Sequence, residues 1–556
     1  MIIFVSMSKV CRLCRSSFKV DSSVLEKVSP VIGGKKIILP EPGLCPDCRM
    51  QKRLSFRNER FLYPRECDFT GQKMVSFFGP EYEGKVYEHA AWWGDQWNGL
   101  DEGMMFDFTK TFTEQFAELR RRVPRIGLMI SHCENSDYAP YSAFSKNLYL
   151  CVSCVGSENL LYSYQANSSQ NCVDCSVVFR STFCYESLYG VGLHHSFWTQ
   201  NCRDSQDLYF CRDCRNCSQC IGCTNLVNKK FHIFNQPVTK EEYYQFLEKL
   251  LRPAGIETMK EEFFGFSSRD FHRSSHNSFC EDSSGEQLLN CKNAKDCFEA
   301  ENLEDCAYVY NTPHGAKNCF DTHYSPRSEL VYESVSAVNG YHSQFVLTCW
   351  DVKNTLYSEE CFYSQNLFGC IGLKNSEYCI LNKKYSKEDY EKMVPRIIEH
   401  MRKTGEFGEF FKPSLSAFAY NESLAQEFSP LSREQAIQRN LRWKEFPKEN
   451  DFSPVSASQS TIPTTSDEVL RSPMNCRVCG KLFRIISQEL KFYRQMKLPL
   501  PVNCHNCRYN ERMRARVQRK ITFRDCSKCQ QKTATSIDVT RAEKVFCEPC
   551  YREEVY

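Results

Sequence analysis

No stretch of the 556 residues approaches 18 consecutive apolar positions, so the chain offers no candidate membrane span. The opening Met1-Ile-Ile-Phe-Val5 run is too short for a secretory leader and lacks a basic flank, and Met7 stands as an alternative start. A Gly-rich phosphate loop, a G-x-S-x-G elbow and an H-E-x-x-H helix are all missing, which removes the commonest nucleotide, serine-hydrolase and zinc-protease signatures. Histidine is sparse, at 12, and His194-His195 and His272…His276 stand apart from any motif; they read as packed or surface residues. Net charge is only +3. With no leader and no span, a soluble, cytoplasmic protein without membrane partners is expected. Its 34 cysteines would then stay reduced, as metal ligands or buried thiols rather than disulfides.

Twelve of those cysteines fall in six C-x-x-C pairs of a kind that binds zinc. Four pairs lie near the end: Cys476/Cys479, Cys504/Cys507, Cys526/Cys529 and Cys547/Cys550. Two lie near the start: Cys11/Cys14 and Cys45/Cys48. One such knuckle presents two thiolates on a tight turn, and two knuckles complete the tetrahedron of a structural Zn²⁺. The two ends are copies of one module. Cys48 to Cys67 and Cys507 to Cys526 are both 19 residues, and Cys67 to Glu88 and Cys526 to Cys547 are both 21. Where the second copy has Cys529, Cys547 and Cys550, the first has Thr70, Glu88 and Ala91. One of four potential sites has therefore lost its ligands, and about three Zn²⁺ per chain are expected.

The copies also share arginines. Arg49, Arg53, Arg57 and Arg60 follow Cys48 at the offsets at which Arg508, Arg512, Arg516 and Arg519 follow Cys507. A helix through Arg49–Arg60 would place arginines at i, i+4 and i+8 on one face. Such a face is either simply solvated or binds anions, and its repetition in both modules points to phosphate. Arg49, Arg53, Arg57, Arg508, Arg512 and Arg516 are the candidate nucleic-acid contacts. Charge is distributed accordingly: +7 over residues 1–66, +11 over 471–556 and −15 over 67–470. Basic ends on an acidic body suggest a polyanionic partner. Trp92, Trp93 and Trp97 form an aromatic cluster, read as packing with a base-stacking platform as the alternative.

Several further motifs run in a recognisable order: C-x-x-C, Leu39-Pro-Glu-Pro42, C-P-x-C-R, Ser55-Phe-Arg-Asn-Glu59, Val86-Tyr…Trp92-Trp93 and Asp107-Phe…Phe112…Gln115-Phe116…Glu118-Leu119. Tyr420-Asn-Glu, Pro430-Leu, Phe492-Tyr, Leu498-Pro-Leu-Pro501 and Val545-Phe-Cys547 complete the order. Over nearly its whole length the chain resembles the treble-clef and zinc-ribbon zinc-finger proteins of small-genome candidate-phylum bacteria. The resemblance implies zinc-finger modules around a repeat-rich centre and brings no known activity with it. The chain departs from the family at Thr70, Glu88 and Ala91, where the family tends to have cysteines.

Residues 131–404 are duplicated. Asn216-Cys-Ser-Gln-Cys220-Ile-Gly…Asn225…Ile233-Phe-Asn235 recurs as Asn366-Leu-Phe-Gly-Cys370-Ile-Gly…Asn375…Ile380-Leu-Asn382, and a capped helix follows each, starting at Thr239/Glu242 and Ser386/Asp389. A finer beat of 9–13 residues sets Asn or Asp before short Cys/Tyr/Phe-rich runs, as at Lys146-Asn-Leu, Glu158-Asn-Leu, Gln170-Asn-Cys and Arg215-Asn-Cys. Repeats this short suit stacked β-solenoid coils. The series Cys211, Cys214, Cys217, Cys220 and Cys223 resembles an iron–sulfur run but lacks its trailing C-P, so buried thiols are the leading reading, with an extra zinc or a cluster as alternatives.

The expected fold is multidomain and mainly β, a duplicated Cys-rich β-solenoid-like centre with capping helices, flanked by treble-clef zinc-finger modules. Its parts are a first finger at 8–66, a degenerate second finger with an aromatic and helical segment at 67–130, and repeat halves at 131–252 and 276–404. A helical segment with the Ser/Thr/Pro-rich linker Ser453–Asp467 follows at 405–470, and a double zinc-finger module at 471–556. The expected function is non-catalytic zinc and nucleic-acid binding. The alternatives are a scaffold that docks an acidic protein partner or the chain's own acidic centre, and a redox or metal-dependent enzyme built on the central cysteines.

Overall fold

A computed structural model describes residues 7–446, 467–541 and 543–556. The opening run Met1–Val5 lies outside the described residues, and so does the linker Ser453–Asp467 except for Asp467. Sheet dominates, and the chain divides into two compact units, each built from separated segments. One comprises the described residues of Met1–Leu128, Ser275–Glu445 and Gln518–Ile521; the other, those of Met129–Ser274, Phe446–Val517 and Thr522–Tyr556. The first finger thus belongs with the second repeat half, and the C-terminal fingers with the first.

The repeats obey a stricter rule than the 9–13-residue beat. Strands pair in parallel with the segment twelve residues on, as in Leu148↔Leu160↔Cys172, Leu208↔Cys220 and Trp350↔Phe362. A step of thirteen occurs at Leu303↔Ala316, where an extra residue is accommodated near Gly315 at φ +82°. Within each twelve, every third residue is left-handed: Asn147 (φ 56°), Leu150 (49°), Ser153 (53°), Gly156 (62°) and Asn159 (56°) begin a series that continues to Asn228 with few breaks. Left-handed backbone costs an ordinary L-residue about 1–2 kcal/mol, and Asn and Asp tolerate it best. This is why Asn or Asp marks the beat. Their side chains also form ladders, Asn135 to Asn147 at 3.2 Å, Asn147 to Asn159 at 3.0 Å and Asn159 to Asn171 at 3.1 Å.

Away from the ends of the ladders, the residue after each left-handed position is buried. In one unit that column reads Leu148, Cys151, Cys154, Ser157, Leu160, Ser163 and Ala166; in the other, Cys349, Val352, Thr355, Ser358 and Cys361. Small side chains are needed because the same position returns every three residues. Polar ones are tolerated because they complete the backbone's hydrogen bonds. Ser157 donates to the Ala166 carbonyl at 2.7 Å and accepts the Ser169 N–H at 3.1 Å, twelve residues on. Thiols do the same more weakly, Cys214 donating to the Arg212 and Cys223 carbonyls at 3.6 Å each.

Both expected helical caps are present. Thr239 and Glu242 form a reciprocal box at the start of Lys240–Leu250, and Ser386 accepts the Asp389 N–H at the start of Lys387–Lys403. Thr111 and Glu114 cap Phe112–Arg122, which buries Phe112, Phe116 and Leu119 as its apolar spacing requires. The helix expected through Arg49–Arg60 is shorter, Pro46–Leu54, with Ser55 as its C-cap. The helices Ser22–Val28 and Pro253–Arg269 were not anticipated. Trp92 is wholly buried, edge-on to Phe362 and Trp97, and donates its indole N–H to the Pro124 carbonyl at 3.1 Å. The cluster is packing, and the base-stacking alternative falls with the burial of its central ring.

Replacing one inward hydroxyl tests this arrangement. Ser157→Ala strands the Ser169 N–H among buried groups and should destabilise the protein by about 1–3 kcal/mol. Ser157→Cys keeps a small polar group and should cost less. The measurement is the midpoint of urea unfolding, and equal midpoints for Ser157→Ala and wild type would contradict it.

Candidate metal centres

Each metal-type knuckle is built in one way. The first cysteine donates its N–H to the residue five on and accepts from the residue four on, which lies in the left-handed region. At Cys11 these are the Ser16 carbonyl (2.8 Å) and Arg15 N–H (3.1 Å, φ 65°); at Cys476, Lys481 (2.9 Å) and Gly480 (2.9 Å, φ 73°). Cys526 repeats the pattern with Gln531 and Gln530, both at 2.9 Å. The second pair in each site enters through a helix. Cys45, Cys504 and Cys547 are the N-cap residues of Pro46–Leu54, His505–Arg514 and Glu548–Val555.

Three sets of four thiols result: Cys11, Cys14, Cys45 and Cys48; Cys476, Cys479, Cys504 and Cys507; and Cys526, Cys529, Cys547 and Cys550. All four sulfurs in each lie within 4.8 Å of one another. Contacts of 3.6 Å (Cys14–Cys45), 3.8 Å (Cys479–Cys504) and 3.7 Å (Cys529–Cys547) match the separation of about 3.8 Å that Zn–S bonds of about 2.3 Å set across a tetrahedron. The local backbone favours thiolates. Burial raises the pKa of Cys11, but the N–H groups of Cys14, Cys45 and Leu13 bring it down to about 6. Cys476 and Cys526 are lowered to about 6 in the same way. Burial and the neighbouring thiols raise the helix-borne Cys48, Cys507 and Cys550, so it is the geometry that fits a four-thiol metal site in all three sets.

Among the described residues no fourth set of this kind occurs. The degenerate copy keeps its frame without its ligands. Cys67 bonds to the Gln72 carbonyl and the Gly71 N–H at 2.8 and 2.9 Å, and its sulfur accepts from the N–H groups of Thr70 (3.4 Å) and Glu88 (3.3 Å). Cys526 likewise accepts from Cys547 N–H at 3.3 Å. Where Cys547 caps a helix, Glu88 caps His89–Trp93, accepting from the N–H groups of Ala90 and Ala91 at 2.9 Å each. A carboxylate at a helix N-terminus substitutes for a metal-bound thiolate there. The central series Cys211, Cys214, Cys217, Cys220 and Cys223 belongs to the inward column, with all five thiols buried. Burial pushes the Cys211 thiol well up, whereas at Cys223 burial is outweighed by the neighbouring Cys211 and Cys220 thiols, which bring it down to about 4.

The six candidate phosphate-binding arginines are placed differently from expectation: all are buried. Arg49 and Arg53 meet Asp321 at 2.7 and 3.2 Å, with Glu333 at 3.6 and 3.8 Å. Arg57 binds Glu59 at 2.5 Å and donates to Ser336. In the other unit, Arg508 and Arg512 converge on Asp174 at 2.7 and 3.0 Å, Arg508 also reaches Glu489 at 3.2 Å, and Arg516 lies over the Tyr164 ring. Burial opposes the charge on Arg508, and Asp174 more than restores it. Five of these guanidiniums are engaged by the chain's own acids and Arg516 by a ring, and buried in this way they are not presented to an external phosphate. Arg49 and Arg508 also donate to the carbonyls of Leu44 (2.7 Å) and Asn503 (2.8 Å), just before the second knuckle. Asp174, Asp321, Glu333 and Glu489 escaped the sequence reading. The −15 of the middle was the one general signal for Asp174, Asp321 and Glu333, Glu489 lies in the basic 471–556 segment, and no local motif marks any of them.

No family model and no curated protein matches the chain. Among solved structures, a putative acetyltransferase from Desulfovibrio desulfuricans G20 is matched at 12% identity. The match covers 50% of this chain and 82% of that one with a TM-score of 0.11, which supports no argument about fold or activity.

Two variants check these placements. Restoring the absent ligands with Thr70→Cys, Glu88→Cys and Ala91→Cys beside Cys67 should add one metal ion per chain, read by native mass spectrometry; an unchanged count would show that the frame is not a latent site. Asp174→Ala leaves Arg508 and Arg512 buried without their acid and should cost about 3–5 kcal/mol. Proteolysis should then begin near His505–Arg514, and wild-type resistance would contradict the role given to Asp174.

Proposed function

We propose that this is a non-catalytic, zinc-binding interaction scaffold. In this reading the twelve-residue ladders are β-solenoid coils, the three Cys₄ sets hold Zn²⁺, and treble-clef and zinc-ribbon modules related to the candidate-phylum family are fastened to the coils. The carrying observation is the pairing of each metal-type module with a buried arginine–carboxylate row in its own unit. The modules' most regular positive feature is thereby consumed in holding the protein together. Parallel twelve-residue register, the inward column of small residues and the left-handed third positions support the solenoid assignment. Four soft ligands in a tetrahedron support zinc.

Function then resides in surfaces, and partners are macromolecules recognised by shape. Burial of all five central thiols in the inward column weighs against the redox alternative, and the nucleic-acid binding expected from the sequence loses the six arginines that motivated it. No helix of the described residues is long and apolar enough to cross a membrane.

Purified full-length protein should be colourless and carry three Zn²⁺ by native mass spectrometry. Fluorescence anisotropy with single-stranded RNA and duplex DNA at about 50 mM salt, where phosphate contacts are strong, should show no binding. The triple variant Arg508→Gln, Arg512→Gln and Arg516→Gln should lower the melting temperature. Tight nucleic-acid binding that this variant abolishes without loss of stability would overturn the scaffold reading, and a brown, iron-containing protein would overturn the zinc assignment.

A further inference from the structure

The first finger borders a cavity of about 310 Å³, within the size range of small-ligand pockets, about 300–1,000 Å³. Leu13, Leu44, Pro413 and Leu441 supply apolar wall, while Arg12, Lys52 and Arg439 supply positive charge. The one carboxylate on the lining is Glu409, ion-paired with Arg12 and with Lys52 at 3.3 Å. A second cavity of about 190 Å³, walled by Phe112, Phe410 and Phe411, shares Arg12, Lys52 and Glu409 with the first. The Glu409 carboxylate therefore sits on two cations where two largely apolar spaces meet.

The other module supplies an internal comparison. Arg12, Leu13 and Lys52 correspond in spacing to Arg477, Val478 and Glu511, so the lysine's counterpart carries the opposite charge. There the helix Pro253–Arg269 meets the equivalent positions, with Glu257 on Arg477 at 2.8 Å and Lys260 facing Glu511 at 4.0 Å. The pair of cations at these positions is thus a property of the first module, whose counterpart pairs a cation with an acid.

From these placements we infer that the Arg12–Lys52–Arg439 cavity binds a small carboxylate with an apolar body, and that Glu409 occupies the carboxylate's place when the ligand is absent. Charge complementarity sets the class: three cations against one internal acid leave the lining positive, and the apolar wall excludes a bare inorganic anion as the best fit. Glu409 shows which group the cations accept. The cavity borders the first metal-type set through Cys48, but the proposed ligand contacts are Arg12, Lys52 and Arg439, outside the buried arginine rows.

The test uses full-length, zinc-loaded protein and 4-phenylbutyrate as probe, with 4-phenylbutanol and 4-phenylbutylamine as neutral and cationic matches, read by saturation-transfer NMR and calorimetry. The carboxylate should bind about tenfold or more tightly than either match. Lys52→Glu, which installs the second module's charge, should weaken it about tenfold, and Glu409→Gln should tighten it by removing the internal competitor. Arg439→Gln, at an exposed position, gives a second weakening variant should Lys52→Glu fail to fold. Binding seen only with Glu409→Gln would also support the proposal. It is overturned if neither wild type nor Glu409→Gln binds the probe, if the three probes bind alike, or if folded Lys52→Glu and Arg439→Gln proteins both bind as wild type does.

Discussion

A buried guanidinium is stable only when an acid meets it, and that requirement organises both units. In each, a metal-type knuckle fixes the start of a helix, and the arginine directly after the last thiol bridges a carbonyl of the knuckle loop and an aspartate on the ladder. Thiols, helix and ladder are thereby joined by one side chain. Neutral replacement of both partners could be tolerated energetically, whereas loss of one leaves a buried charge without compensation. The row thus ties each metal-type module to an aspartate on the ladder of its own unit.

The degenerate site shows what the metal contributes and what the backbone does alone. Cys67 keeps the turn geometry of its counterparts, and its neighbouring helix is capped by Glu88. The hairpin Tyr63–Glu66 with Lys73–Ser76 persists, as does the pairing of Val86–Tyr87 with Arg125–Ile126. In that copy Arg125 is buried against Glu359 and Glu360 at 2.5 and 2.8 Å. Ion pairing to the ladder and packing of Trp92 have taken over the fastening that four thiolates supply elsewhere.

Much of this was legible in the sequence, and the rest failed for identifiable reasons. The Cys₄ sets and the missing fourth followed from local spacing, because a knuckle is a short-range structure whose ligands are chemically conspicuous. Capping boxes at Thr239 and Ser386 were legible for the same reason. The arginines were recognised as special through their repetition, yet the aspartates they meet are remote, 268 residues from Arg53 to Asp321 and 334 from Arg508 to Asp174, and have no local signature. A charged face on a helix looks alike whether water or a buried aspartate receives it. The left-handed triplet was visible in part, through Asn and Asp. Tyr162, Trp198 and Phe210 occupy the same conformation because packing compensates it, and a propensity argument could not have placed them there.

The assignment of the first finger to the second repeat half has a consequence in time. A ribosome adding about 5–20 residues per second needs roughly 10–50 s to pass from Arg53 to Asp321. Throughout that interval the emerging module has its thiols, its helix and Glu59 for Arg57, but no acid for Arg49 and Arg53. Metal capture is the one stabilising event available to it, since every ligand from Cys11 to Cys48 is already out. The first repeat half waits in turn, with Asp174 lacking Arg508 until 334 further residues follow. Each unit is therefore completed late, and the nascent chain must carry unmatched buried-type charges of both signs while it is being made.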